Sequence, residues 1–326
     1  MTQAESNSYP RISINIPVKE YNPHLEECIR HCLELDYPNF EVLVLPDDAC
    51  ASPDPSVKII PTGALGPSDK RDIALRHSDG DIVAYLDDDT FPRRDWLRNA
   101  VRHFDRPLVA AVGGPAVTPD SDGYLQKASG CVFSSVSCSG GLTYRYVPRR
   151  AREVDDYPTC NFLVRKEVME ELGGFDNKFW PGEDTIACLR MTTELGKKIV
   201  YSPDVLVYHH RRKLFGPHLK QVWNYAVHRG YFVKRFPETS RRPTYFVPSI
   251  FVGGLFMSTA AAIAYPPLRP GFLALIGVYL LIIALDSLRS ASPAMVPAVV
   301  LGAFLTHLAY GVGFIKGLFA KRLEDK

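Results

Sequence analysis

The chain has 326 residues, of which 46% are hydrophobic and 23% are charged, and its formal net charge is +2. This length can bury one large core or form two domains. The near-neutral total hides three zones: mixed charge up to about Asp204, a basic and aromatic stretch at 208–242, and an apolar end after Pro243. The apolar end argues against a wholly soluble protein.

The start of the chain, residues 1–11, is polar and lacks a charged segment followed by an apolar one. We therefore expect no signal peptide and a cytoplasmic N-terminal part. The seven cysteines include no Cys-x-x-Cys pair, which is typical of a reducing compartment. Cys28 and Cys32, four residues apart on a predicted helix, fit small apolar core residues better than a metal pair.

Predicted strands and helices alternate through the first third of the chain. Asn22 is the predicted cap of the first helix, with Pro23 in its first turn, and Ser68 is the predicted cap of the second. The middle, residues 120–156, predicts loops and short elements. The predicted strands lie at 11–18, 40–46, 56–60, 81–87 and 108–117, and the helices at 22–35, 68–78 and 94–104.

This alternation predicts an α/β fold with a mostly parallel sheet, whose ligands bind at the carboxyl ends of the strands. Acidic residues follow two of those ends: Asp47 and Asp48 after the second strand, and the triplet Asp87–Asp89 after the fourth. Three adjacent carboxylates repel one another, and a divalent metal is the simplest counter-charge. A solvated acidic turn is the alternative.

Four motifs carry a resemblance: "IPVKEYNPHLEECI", "GPSDKRDIAL", "AYLDDDTFP" and "GEDTIACLRM". In order and rough spacing they resemble family 2 glycosyltransferases with the GT-A fold, a Rossmann-like architecture, over roughly residues 11–212. The C-terminal part resembles bacterial membrane-associated members of that family. The resemblance implies a nucleotide-sugar donor and a Mg²⁺ or Mn²⁺ cofactor.

The resemblance also implies roles for single residues. Asp87 lies near the nucleotide ribose, Asp89 on the metal, and Asp88 supports them, while Arg71 reaches the diphosphate. The candidate metal ligands are Asp87 and Asp89 by this resemblance, together with His209 and His210 from the basic run after the last predicted strand. The implied donor-binding residues are Pro17, Val18, Glu20, Asp47, Lys70, Arg71, Asp87, Asp88, Arg211 and Arg212.

Glu183 and Asp184 open a predicted helix, whose dipole and free N–H groups keep a carboxylate ionised. Such a carboxylate can take a proton from an acceptor hydroxyl during attack. By resemblance, Asp184 is the base, Glu183 is its neighbour, and the transfer inverts the anomeric carbon. Simple capping of the helix is the alternative.

The sequence departs from the family pattern at two places. Pro46 stands where the first of two aspartates is usual, so Asp47 is the safer base-contacting residue. Asp72 replaces a usual asparagine after Arg71, which puts that contact in doubt. Gln221-Val-Trp is only a fragment of the Gln-x-x-Arg-Trp signature of processive synthases, and this favours a single transfer.

The basic stretch begins with His209, His210, Arg211 and Arg212, which fit either phosphate contact or a membrane surface patch. The rest of the stretch, residues 213–242, predicts an amphipathic interfacial segment. A nucleic-acid role is disfavoured because apolar spans follow. The predicted domains are thus 1–212, catalytic and cytoplasmic; 213–242, interfacial; and 243–326, membrane-embedded.

Three apolar segments, at 245–265, 272–285 and 293–319, predict three transmembrane helices, since a span needs about 20 residues. The second qualifies if it extends to Leu288. The charges conflict with this count. By the positive-inside trend, Arg241 and Arg242 predict that the preceding domain is on the cytoplasmic side. Three spans would then put Lys321 and Arg322 on the opposite side of the membrane, against the same trend. A re-entrant or interfacial segment is the alternative.

The resulting hypothesis is an inverting, metal-dependent glycosyltransferase in the bacterial inner membrane that delivers sugar to a polyprenyl-linked acceptor. Membrane lipids are further partners, and homo-oligomerisation is left open. One alternative is a polyprenyl-phosphate monosaccharide synthase, whose nucleophile is already an anion. A second, from another class, is a non-catalytic membrane scaffold that binds nucleotide sugars.

Overall fold

The computed structural model describes residues 9–52, 54–175 and 177–323. The polar start at 1–8, on which the signal-peptide expectation rests, lies outside the described residues. Within them the chain forms two compact units, and each is described by itself. The first comprises residues up to Val117 together with Val147–His210, and the second comprises Thr118–Tyr146 together with the residues from Arg211 onward.

The strands are short and mostly buried. They are β1 Ile12–Pro17, β2 Phe40–Leu45, β3 Val57–Ile59, β4 Ile82–Leu86, β5 Thr90–Pro92, β6 Val109–Gly113, β7 Ala116–Val117, β8 Arg152–Val154, β9 Asn161–Arg165, β10 Lys198–Tyr201 and β11 Val207–His209.

The α-helices alternate with these strands and then continue alone. They are α1 Pro23–Leu33, α2 Pro67–His77, α3 Trp96–Val101, α4 Tyr124–Ser134, α5 Val136–Ser139, α6 Lys166–Leu172, α7 Glu183–Thr193, α8 Gly216–Arg235, α9 Pro237–Ser240, α10 Pro243–Ala264, α11 Arg269–Ser287 and α12 Val296–Phe319.

The first unit contains an eight-stranded mixed sheet in the order β3-β2-β1-β4-β9-β6-β10-β8. Strands β8 and β9 run against the other members, whose direction agrees with the mostly parallel prediction. Residues of β1, β4 and β6 are buried along their whole length, as strands covered on both faces must be. The carboxyl ends of β1, β2 and β4 therefore share one edge, as the sequence predicts.

A second, three-stranded sheet in the order β5-β11-β7 extends that edge. Strand β11 is antiparallel to β5, and His209 lies opposite Thr90. This pairing brings the end of β11 next to the acidic triplet, which ends immediately before β5.

Helix starts follow the sequence closely, with one correction. Asn22 caps α1 as predicted, because its Oδ1 accepts hydrogen bonds from the backbone N–H groups of His24 and Leu25 at 2.9 and 3.0 Å. Ser68 is not the cap of α2, because the helix begins one residue earlier, at Pro67, with Gly66 as the cap. The fixed φ of proline suits the first helical position, and this decides the boundary.

The prediction of loops at 120–156 is also wrong in part, since α4 is an eleven-residue helix there. Its small residues permit close packing: Gly130 lies against Thr118, where an added Cβ would be 2.1 Å from Oγ1. Small polar residues thus serve here as a packing surface rather than as a loop.

The second unit also contains three helical segments long and apolar enough to cross a membrane, within the described part of the chain. They are Pro243–Ala264, Pro266–Ser287 and Pro293–Phe319, with mean hydropathies of 1.8, 2.1 and 1.8. The second is longer than its apolar run predicted, and it reaches spanning length. The domain boundaries at residues 212 and 242 stay predictions.

Candidate active site

Each aspartate of the triplet Asp87–Asp89 meets a side chain from a different element. The first accepts a hydrogen bond from Arg71 Nη2 on α2 at 2.8 Å, and the second accepts one from Asn22 Nδ2 before α1 at 2.8 Å. The third has a carboxylate oxygen 3.2 Å from His209 Nε2 on β11. The three like charges are tolerated side by side because each has its own partner.

Burial raises the pKa of Asp88, the charges of Asp89 and Asp87 raise it further, and the Asn22 hydrogen bond opposes the shift. Because Asn22 also caps α1, one asparagine fixes both the helix start and the central carboxylate. The sequence indicated the cap but not this second contact.

Asp87, Asp89 and His209 form a group that can hold a metal ion. One ligand atom from each lies within 4.8 Å of the others, and all three side chains are half-buried. Two carboxylates and one imidazole fit Mn²⁺ well, and carboxylates also suit Mg²⁺. The donor set of this chain is therefore compatible with a divalent cation at the predicted position.

His210 belongs to a different group, with His24 and Glu27 of α1. Its Nε2 lies 2.8 Å from a Glu27 carboxylate oxygen, and its backbone N–H donates to Asp89 O at 2.9 Å. Consecutive side chains in an extended chain point to opposite sides, so neighbouring histidines separate into two groups. The structure thus brings His209, and not His210, to the acidic pair.

Arg71 joins the acidic triplet to the start of α7. Its Nη1 donates to Glu183 Oε1 at 2.9 Å, while Nη2 holds Asp87, and the side chain is 4% exposed. Burial disfavours the cation, but the charges of Asp87, Glu183 and Asp184 outweigh it and raise the pKa of Arg71. Its buried Nε has no hydrogen-bond partner among the described residues.

Lys70 holds together the ends of β1 and β2. Its buried Nζ donates to Val18 O at 2.5 Å and Leu45 O at 3.1 Å, and it forms an ion pair with Asp47. Pro17 is buried in register with Leu45, whereas Glu20 is exposed. The predicted donor-binding residues of these two strand ends are therefore neighbours.

Glu183 and Asp184 occupy the first turn of α7, as predicted. Glu183 is buried and accepts a hydrogen bond from Gly182 N at 2.9 Å, while Asp184 is half-buried and accepts one from Thr185 N at 2.7 Å. Gly182 has φ 145°, a conformation that favours glycine before these two residues. Asp184 is the more accessible carboxylate of the pair, which suits the predicted base.

Asp72, the departure from the family pattern, contacts the backbone after α6. It accepts a hydrogen bond from Phe175 N at 2.8 Å, and burial raises its pKa to about 6. Its role here is to hold the loop that follows α6.

Arg211 and Arg212 belong to the second unit. The Arg211 side chain is buried, with Nε 3.3 Å from Thr118 Oγ1 and its guanidinium 5.3 Å from the ring centre of Tyr146. Its backbone N–H donates to Asp122 Oδ2 at 3.1 Å. The predicted phosphate contacts of both arginines stay predictions.

Comparison with known proteins agrees with this geometry. The model of the family "Glycosyl transferase family 2" matches residues 13–173. A pre-mycofactocin glycosyltransferase of Mycobacterium tuberculosis is 29% identical over 195 residues, which are 59% of this chain and 39% of that protein. The chain thus matches about two fifths of the length of that relative.

Two further proteins extend the comparison. A glucosyl-dolichyl phosphate glucuronosyltransferase of Haloferax volcanii is 26% identical over 144 residues, covering 42% of this chain and 44% of that protein. The solved structure of the mannosyltransferase PcManGT from Pyrobaculum calidifontis, in complex with GDP-Man and Mn²⁺, superimposes with a TM-score of 0.54 at 22% identity. That match covers 97% of this chain and 89% of the other, and it supports the fold.

The strand order, the acidic strand end and the family match agree with one another. Residues 13–173 therefore match the model of glycosyl transferase family 2, and the described residues have a GT-A fold.

Proposed function

We propose that this protein is a glycosyltransferase that moves a sugar from a nucleotide-sugar donor to a polyprenyl-linked acceptor, with inversion and with a divalent cation. The observation that carries the proposal is the convergence of Asp87, Asp89 and His209 at one strand edge, joined through Arg71 to the carboxylates of α7. This arrangement supports a donor site and a base site side by side.

The donor half rests on the group of Asp87, Asp89 and His209, which would hold Mg²⁺ or Mn²⁺. When bound, the ion stabilises negative charge on a departing diphosphate as a Lewis acid. Arg71 keeps Asp87 oriented, and Lys70 keeps Asp47 at the position proposed to meet the nucleotide base. The solved complex of the archaeal mannosyltransferase contains GDP-Man and Mn²⁺, which agrees with this assignment.

The acceptor half rests on Asp184. Its place in the first turn of α7 favours the ionised form, and Arg71 and Glu183 beside it fix the surrounding charge. We assign to Asp184 the removal of the proton from the acceptor hydroxyl as the glycosidic bond to the donor breaks.

The lipid-linked acceptor is supported by the apolar helical segments of the second unit. A polyprenyl chain stays in the bilayer, so an enzyme that uses it must remain at the membrane. The dolichyl-phosphate sugar named in the Haloferax relative is a substrate of the same chemical kind. We place the protein in the cytoplasmic membrane with its catalytic unit in the cytoplasm.

The donor assignment predicts metal-dependent nucleotide binding that requires Asp89. Asp89→Asn should weaken the binding of the preferred UDP-, GDP- or dTDP-sugar at least tenfold in Mn²⁺, because it removes one charged ligand. Titration calorimetry with Mn²⁺ and with EDTA measures this, and Asp105→Asn, at an exposed site, is the matched control. If the wild type binds the nucleotide sugar with equal affinity in Mn²⁺ and in EDTA, the result would contradict the proposal and favour the scaffold hypothesis.

The acceptor assignment predicts that Asp184→Asn separates binding from transfer. Donor affinity should stay within about twofold, and transfer to a hydroxyl acceptor should fall by a factor of about 10² or more, the usual size of a general-base contribution. Radiolabel transfer to a polyprenyl-linked sugar is the measurement, with polyprenyl phosphate as the second acceptor. Full activity of the variant on the phosphate would favour the monosaccharide synthase, whose anionic nucleophile needs no base.

A further inference from the structure

Helix α8, predicted to lie at the membrane surface, runs beside α12 in the same direction. His218 Nε2 lies 2.9 Å from Thr306 Oγ1, and the backbone of Gly317 is so close to Val227 that a Cβ there would be 2.0 Å from its carbonyl oxygen. Near the end of both helices, Lys234 Nζ donates to Ala320 O at 2.7 Å. Helix α8 therefore lies beside the part of α12 from Thr306 onward, and these two stretches occupy the same depth in a membrane.

Helix α8 is too charged to cross a bilayer. Lys220 and Arg229 interrupt its middle, Lys234 and Arg235 stand in its last turn, and Lys and Arg are among the least favourable residues at the bilayer centre. Since α12 shares the depth of α8, it cannot span the bilayer without drawing these cations in with it.

The contacts between α12 and the two preceding helices occupy one end of the α10–α11 hairpin. On α10, Ser249 Oγ donates to Gly311 O at 3.0 Å, and Phe246 packs on Phe314 with ring centres 5.0 Å apart. On α11, Tyr279 Oη lies 2.8 Å from His307 Nδ1. These residues come from the first half of α10 and the second half of α11, which are neighbours in the half of the hairpin that contains its base.

The rest of the hairpin extends beyond this base. Beside Gly253, Gly254, Gly271 and Gly277 there is open space where a Cβ would be added, and large apolar side chains such as Phe256 and Leu273 are mostly exposed. Within the most apolar 18-residue stretch of each segment, only 6% of the residues are buried in the first two segments, against 39% in the third. Helix α12 is thus covered by protein to a greater extent than α10 and α11, whose surroundings are suited to lipid.

We infer that α10 and α11 alone cross the bilayer, as a hairpin, and that α12 lies with α8 across its base at the membrane surface. Lys321 and Arg322 then lie on the same side as Arg241 and Arg242, before the first span. Arg289 and Lys316 join them, and Arg269 is the one Lys or Arg at the opposite turn of the hairpin among the described residues. The conflict with the positive-inside trend disappears.

The partner that this surface fits is the headgroup layer of an anionic bilayer. The cations of α8 stand beside an apolar helix, an arrangement typical of segments that lie in the interface. The two-span topology does not depend on the proposed reaction.

Reporter fusions to the C-terminus of the full chain, expressed in a Gram-negative bacterium, test the inference. Two spans put the C-terminus inside, so a green fluorescent protein fusion should fluoresce and an alkaline phosphatase fusion should be inactive. Active phosphatase with a dark fluorescent fusion would overturn the inference, because it requires a third span.

Cysteine labelling in the unfused chain checks the result independently. Leu268→Cys, at the turn between α10 and α11, should react with a membrane-impermeant maleimide in intact spheroplasts, and Leu323→Cys should react only after lysis. The unsubstituted chain supplies the background of the native cysteines. Labelling of Leu323→Cys in intact spheroplasts would refute the two-span topology.

Discussion

Lys70 and Arg71 are consecutive on α2, yet their buried cations are held by different strand ends. The sequence correctly predicts that both lie near the carboxyl ends of the strands, because the motif and the strand order determine that position. It does not predict the Arg71–Glu183 contact, which joins residues 112 positions apart. Pairings across such a distance depend on the complete chain path, which local patterns do not contain.

His209 and His210 illustrate the same limit. Their residue type predicts metal binding, but the predicted shared site requires both rings on one side of the chain. Strand β11 ends at His209, and the extended backbone directs the next side chain away, toward Glu27. The neighbouring helix α1 supplies that partner, and no spacing in the sequence relates the two segments.

At the residue scale, Asp72→Asn should stabilise the protein at neutral pH. Burial raises the pKa of Asp72 in the folded state from 3.8 to about 6. The stability that the protonated carboxyl group contributes is therefore fully present below pH 3.8 and is lost as the pH rises through 6. Asparagine avoids this loss and keeps the acceptor oxygen for Phe175 N. Because Asp72 is only half-buried, we expect the free energy of unfolding of Asp72→Asn to exceed that of the wild type by about 1–2 kcal/mol above pH 6. Near pH 4 the two proteins should differ little.

Thermal unfolding in detergent between pH 4 and pH 8 measures this difference, with Asp105→Asn as an exposed control. A stability gap that does not grow with pH would show that ionised Asp72 is not penalised in the fold.

Helix α8 shows what periodicity predicts at the scale of an element. The predicted apolar face includes Val222, Ala226 and Gly230, and the structure buries all three. The sequence does not predict what covers that face, because the pattern indicates an apolar environment without showing whether protein or lipid provides it. Here a close glycine contact with α12 takes the place expected for lipid: a Cβ on Gly230 would be 2.2 Å from Phe314 O.

The packing of α8 on α12 predicts that Gly317→Ala destabilises the second unit. Its Cβ would stand 2.0 Å from Val227 O, so the helices must separate, at a cost of about 1–3 kcal/mol. Gly277→Ala is the matched control, since it adds the same methyl group in a helix where nothing lies within 4 Å. The unfolding temperature in detergent should fall only for Gly317→Ala, and equal melting of both variants would contradict close packing.

At the scale of the whole molecule, the GT-A fold was predictable because four motifs and the alternation of strands and helices agree. The antiparallel strand β9 was not predicted, although it pairs with both β4 and β6 at the centre of the sheet. The number of spans was less accessible still. The most apolar 18-residue stretches of the first and third segments have the same mean hydropathy of 1.8, yet 6% and 39% of their residues are buried. Hydropathy does not distinguish burial in protein from burial in lipid, since both surroundings are apolar.

The bridge that Arg71 makes between Asp87 and Glu183 affects how substitutions at the site are interpreted. Removing either carboxylate frees one side of a buried guanidinium, which can then rearrange toward the other. Residues that share a partner do not contribute independently, so the losses from single substitutions will not sum to the loss in the double variant. A double-mutant cycle across Asp87 and Glu183 therefore measures the energetic coupling that Arg71 carries between the proposed donor site and the start of α7, where the proposed base lies.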